Sequence, residues 1–147
     1  MFLTTIRQAA ITLLTGLPIT GPRVFDQLPY PLVREQLPCL VISASAPDVI
    51  QQTVDVPMTL RADVLLTVET YVEANAGGVP QLDDIAASVI TTLGSFLTAG
   101  GKPLPINLVA IDTPEMTSEG ERVIGRRQLS FVVEQVFFLA SDPDTFI

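Results

Sequence analysis

The sequence predicts an α/β protein of the α+β type, in which two amphipathic helices accompany a sheet. Three observations carry that prediction: strand patterning over 58–72, a second strand-like stretch over 125–139, and a helical apolar face over 82–97. In the first stretch Met58, Leu60, Ala62, Val64, Leu66, Val68 and Val72 take alternate positions. Between them stand Thr59, Arg61, Asp63, Leu65, Thr67, Glu69 and Tyr71. Apolar residues at period two mean a strand with one face on a core and one facing something wetter. The run 128–139 (QLSFVVEQVFFL) is apolar on parts of both faces. Each stretch extends roughly 40–50 Å, well beyond the usual strand of about five or six residues. Strands of that length outrun the core that so short a chain can wrap around them, so the excess predicts surface for other subunits.

Composition points the same way. The chain has 147 residues, which fits a single domain over 1–147 with a core that needs no disulfide or metal. It carries 8 basic and 16 acidic residues, a formal charge of -8. That balance argues against phosphate binding, since nucleic-acid affinity comes mostly from Lys and Arg displacing counterions. It allows DNA to pass nearby, because an acidic wall repels a duplex. Charged residues make up 16% of the chain, against about 25% in typical proteins. A monomer so poor in charge leaves apolar patches in water, and such patches mark interfaces. The lone Cys39 sits in an apolar run and reads as structural; without histidine in the chain it has no obvious base. No apolar run approaches the roughly 18–20 residues that span a bilayer, so a soluble chain, intracellular at synthesis, is expected.

Taken in order, Met1 to Leu17 reads as a helix with a stripe of Phe2, Ile6, Ala10, Leu13 and Leu17, ended by Gly16 and Pro18. Pro18, Pro22, Pro29, Pro31 and Pro38 then punctuate an extended segment, with Arg23 to Asp26 a short edge strand. Leu37 to Ser45 reads as a compact central strand, apolar without alternation over Cys39 to Ser43 and broken by Ala46-Pro47. Val49 to Val56 is a further short strand before the long one. Gly77-Gly78 and Val79-Pro80 signal the start of the second helix, Leu82 to Leu97. Asp83 and Asp84 are placed in its first turn, complementing the helix dipole. Its far face, Ala87, Ser88, Thr91, Thr92 and Ser95, is small and uncharged, and therefore a candidate for cover by a neighbouring subunit. Gly100-Gly101 closes the helix, and Leu104 to Asp112 forms another strand. Thr113 to Arg122 reads as an exposed loop of about ten residues, longer than a hairpin turn of two to five and so a candidate for function. The final strand ends at Leu139, followed by a short tail.

No catalytic or cofactor site is expected. Asp83-Asp84 diverge by about 100° on a helix, Asp142 and Asp144 lie in the tail, and neither pair has a metal-ligand pattern. Lys102 after two glycines lacks the spacing of a phosphate loop. Arg122, Arg126 and Arg127 form the one basic cluster, near Glu115, Glu119 and Glu121 in sequence. Local ion pairing and pairing with an acidic neighbour are both open readings.

The order of these elements, with the phrase Thr113-Pro114-Glu115, Gly120 five residues further on, and then 129–133 (LSFVV), resembles the tail terminator proteins of long-tailed bacteriophages. The resemblance covers nearly the whole chain and rests on apolar and proline patterns. It implies a single mixed, mostly antiparallel sheet with two helices packed on one face and a long strand pair extending beyond the core. It also implies a homo-oligomeric ring, expected to be a hexamer, in the virion at the head-proximal end of the tail tube. There the ring would stop tube growth and join the neck protein, with DNA passing through unbound and no membrane involved. On this view Val132, Val136 and Phe138 face a neighbouring subunit together with Ser88, Thr91, Thr92 and Ser95. Glu115, Glu119, Glu121, Arg122, Arg126 and Arg127 belong to a docking loop for tube or neck. The alternatives are a neck or connector subunit, another minor tail protein, and a small-ligand-binding regulatory α/β domain or enzyme.

Overall fold

Helix α1 covers Phe2–Leu14, and its buried residues are Phe2, Ile6, Ala10 and Leu14. Steps of four keep these side chains on one line along the helix. Leu14 therefore takes the core position expected of Leu13, which stays 41% exposed. Gly16, at φ 98°, ends the helix in a conformation open to glycine. The computed structural model describes residues 2–27, 36–47, 49–51, 58–74, 78–94, 96–119, 122–139 and 142–146. Pro29 and Pro31 lie outside these residues. So do 52–56 of the expected strand after Val49, as well as Gly77, Ser95 and Glu121.

Strand β1 (Val24–Phe25) pairs in parallel with β2 (Cys39–Ser45), as an edge strand should. Arg23 fastens the two: its Nε donates to the Pro38 carbonyl at 2.8 Å and its Nη2 to the Ile19 carbonyl at 2.9 Å. The short β3 (Val49–Gln51) and the long β4 (Thr59–Glu73) follow, β2 and β3 both lying antiparallel to β4 on the same side. Helix α2 runs Gly78–Leu93. It starts four residues before the sequence suggests, which moves Asp83 and Asp84 into its second turn and removes their role at the helix dipole. It also ends earlier. Gly94, at φ 57°, terminates it, and Phe96 and Leu97 belong to strand β5 (Phe96–Ala99).

Gly100-Gly101 is thus a hairpin turn and not a helix end. Both glycines have positive φ, 58° and 76°, as a two-residue turn between twisted strands requires, and Ala99 faces Lys102 across it. Strand β6 (Lys102–Ile111) follows. The expected loop is mostly strand β7 (Glu115–Glu119), which folds back on β8 (Arg122–Leu139) from Glu115↔Arg126 to Glu119↔Arg122. Its polar sequence hid it, since an edge strand can be held by its backbone ladder without apolar alternation. The tail likewise forms β9 (Asp142–Phe146), paired with the end of β8.

Among the described residues the sheet has nine strands in the order β1-β2-β4-β8-β6-β5, with β3 on β4 and both β7 and β9 on β8. Every pairing except β1 with β2 is antiparallel. Helix α1 touches β1 and β2 near one end of this order and β5 at the other, so the sheet curls around it, while α2 lies on β4 and β8. Between helices and sheet, Ala62, Val64, Leu66, Val68 and Val72 of β4 meet Leu129, Phe131, Val133, Val136 and Phe138 of β8 in one buried cluster. Phe2 stacks on Phe138 with ring centroids 4.2 Å apart. Removing a side chain of this size from water contributes about 1.5–3 kcal/mol.

Candidate assembly surfaces

The antiparallel β4–β8 pair sorts its residues between two faces. Leu66↔Phe131 and Val68↔Leu129 point to the helices, and Leu65↔Val132, Thr67↔Ser130, Glu69↔Gln128 and Tyr71↔Arg126 point away. Near the end of β4 the register slips: Ala62 pairs with Val136 and Val64 with Val133, so Glu134 and Gln135 stand opposite Asp63 alone. Two residues against one is a β-bulge, and it reverses which side chains face the core. Val132 therefore lies half-buried on the outer face, whereas Val136 and Phe138 are 0% and 4% exposed inside the protomer. The shared subunit-facing role expected of the three does not fit Val136 and Phe138, because the protomer's own core already covers them, Phe138 being stacked on Phe2 of α1.

On α2, Ala87 and Thr91 are exposed and Ser88 and Thr92 half-buried. With Leu17 and Pro18 they line a shallow, uncharged depression of about 310 Å3. A larger groove of about 570 Å3 runs between α1 and β5, lined by Gln8, Thr12, Leu13, Phe96 and Thr98 among others. Phe96 is 61% exposed at its rim. Further exposed apolar side chains stand on β3 (Val49, Ile50) and on the second half of β6 (Leu108, Val109, Ile111).

The basic cluster divides. Arg126 lies on the outer face, where its Nη1 donates to Glu115 Oε2 at 3.0 Å, its Nη2 to Gln128 Oε1 at 3.2 Å and its Nε to Glu69 Oε2 at 3.3 Å. The Tyr71 hydroxyl donates to the same Glu69 oxygen at 2.6 Å. Arg127 points to the helix side, opposite Thr70, and pairs with Asp83 of α2. Arg122, half-buried, pairs its backbone with Glu119 at the end of the hairpin. Local pairing thus holds for Arg126 with Glu115, and the docking segment becomes a strand stitched to the sheet. Glu69, Tyr71 and Gln128 join this cluster without having been singled out from the sequence. Alternation placed Glu69 beside Tyr71, yet the strand register was needed to bring Arg126 to them.

The electrostatics follow from this geometry. Partial burial on its own raises the Glu69 carboxyl, but the hydrogen bonds from Tyr71 and Arg126 and the Arg126 charge outweigh it and hold the group below the usual range. Burial, then the hydrogen bond and charge of Glu69, push the Tyr71 hydroxyl up to about 12. The bond to Glu69 raises the Arg126 guanidinium further. Burial pushes the Cys39 thiol up to about 11 against the opposing charge of Arg23, which keeps it protonated and unreactive at neutral pH. Among the described residues no three Cys, Asp or Glu side chains converge on a metal-binding arrangement. Among those residues, too, no helix is long and apolar enough to cross a membrane.

Comparison with known proteins gives a fold. No family model and no curated protein matches the chain. Among solved structures, a chain described as "Virion of native gene transfer agent (GTA) particle" matches with a TM-score of 0.58 and 16% identity. The match covers 90% of this chain and 96% of that one. The two share an α+β fold across nearly their whole lengths.

Proposed function

We propose that the protein is a structural component of a phage-like virion, and within it a tail terminator: a ring that caps the head-proximal end of the tail tube. The observation that carries this reading is the whole-length match to a chain of a gene transfer agent virion, with no large unmatched segment on either side. The exposed apolar side chains on β3, β5 and β6 support it, since they lie on several sides of one protomer and a closed ring needs two different patches on each subunit. The charge of -8 suits a lumen through which DNA slides without sticking. Residues with an assembly role on this reading are Val132 on the outer sheet face, Ser88, Thr91 and Thr92 on α2, and the β7–β8 hairpin with Glu115, Glu119, Arg122 and Arg126 as a docking element for tube or neck. The expected hexamer is the smallest testable part. Electron microscopy of the purified protein with growing tail tubes is the experiment: capped tubes of fixed length are expected. Rings that bind only assembled necks would assign it instead to the connector, and tube growth unaffected by the protein would remove the reading.

A further inference from the structure

We propose that the open edge of β6, residues 107–111, is completed by strand β3 of a second copy of this chain. This deepens the ring reading by naming the subunit contact, and it depends on that reading only for closure of the ring. Strand β5 covers β6 only at residues 102–105, whereas β8 pairs with 106–111 on the other side. Beyond Pro105, and among the described residues, no strand pairs with the far side of β6. Its outward amide and carbonyl groups, otherwise left to water, are a template for another extended segment. Leu108, Val109 and Ile111 on this segment are 37%, 55% and 54% exposed. Proteins guard such edges with lysine, proline or bulges. Residues 107–111 contain neither lysine nor proline. The register shift between Leu108 and Ala110 is a bulge on the β8 ladder with Val109 as its extra residue; it is the one such guard on this segment, and it carries a valine and no charge.

The occupant follows from charge and topology. Two copies at -8 each repel one another except along uncharged stretches. From Pro103 to Ile111 β6 carries no charge, and neither does Val49–Gln51 in β3. All three β3 residues are exposed, Val49 and Ile50 at 49% and 47%. Strand β3 lies on the β2 side of β4 and β6 on the far side of β8, in one continuous sheet. Pairing them joins copies head to tail, each using two different edges. That is the contact type from which rings are built.

The test uses two exposed substitutions, Ile50→Lys and Val109→Lys, in the full chain, with sedimentation velocity across concentration and circular dichroism as a check on folding. The wild type is expected to associate and each variant to remain a folded monomer. An equimolar mixture of the two is expected to stop at a two-chain species, since each variant retains the edge that the other has lost. Association of Ile50→Lys at the wild-type level overturns the assignment of β3, and association of both variants overturns the contact. Hydrogen exchange on the wild type gives a readout independent of any variant: amides within 107–111 are to gain protection at least tenfold as concentration rises. Unchanged exchange in an assembled wild type, or a wild type monomeric at every concentration, ends the proposal. Rings that cap tubes equally well with either variant would remove this contact and leave the tail-terminator reading standing. Edge-dependent assembly without capping would do the reverse.

Discussion

The two faces of the β4–β8 pair have one backbone and one register, yet they do different work. On the helix side, Val64, Leu66, Val68, Leu129, Phe131 and Val133 are at most 2% exposed. On the other, Leu65, Thr67, Glu69, Tyr71, Val132 and Arg126 are all half-buried, with a hydrogen-bonded cluster in place of a packed layer. The difference teaches that the surplus apolar surface inferred from strand length lies less on the faces of this pair than along the flanking strands β3, β5 and β6. The inner face holds the protomer together, and the outer face is free to evolve for partners.

Substitutions that treat the two faces alike should separate them. The largest effect is expected from Val136→Glu: a carboxylate at a fully buried site costs more than about 4 kcal/mol, and the isolated protomer should be unfolded by circular dichroism. The same change at Val132, one bulge away, should cost less than about 1 kcal/mol and show itself in sedimentation rather than in the melt. Equal melts for the two would show that the bulge does not divide the faces. Next comes Gly125→Val. A Cβ at Gly125 already lies 3.1 Å from Val72 Cγ2 and 3.1 Å from Met116 Sδ, so added methyls overpack β8 where it runs between β4 and β7, at about 1–3 kcal/mol by urea denaturation. A neutral result would mean that Met116 swings aside.

A small effect is also expected from the polar cluster on the outer face. Glu69→Gln should cost about 1 kcal/mol at neutral pH, because the group is partly exposed and its ion pair is screened. The pH dependence has a definite sign. The folded-state carboxyl sits below its unfolded value, so its contribution is present above the unfolded value and is lost as pH falls through the lowered one. The Tyr71 hydroxyl is shifted the other way, so its contribution is full below about 10 and disappears as pH rises through about 12. Parallel pH-stability curves for the wild type and Glu69→Gln at the acid end would exclude the cluster as a source of stability.

Much of this architecture was legible beforehand. Alternation over 58–72 placed β4 and its buried face, helical spacing over 82–97 placed α2 but ran four residues past its end, and the apolar run from Cys39 placed β2. The misplacements have local causes. Gly100-Gly101 is compatible with a helix end or a hairpin turn, and the choice lies with Gly94, which ended α2 first. The segment 115–119 carries no apolar rhythm because its hold on β8 is a backbone ladder, to which side-chain pattern is blind.

Local order along the chain dictated the secondary elements, because periodicity of apolar side chains is a property of neighbouring residues. Pairing was settled in three dimensions. Which residue of β8 stands opposite which residue of β4, and where one extra residue shifts that alignment, depends on ladder hydrogen bonds between segments about sixty residues apart. A single bulge there sends Val136 inward and leaves Val132 outside, and no spacing rule within one strand contains that information.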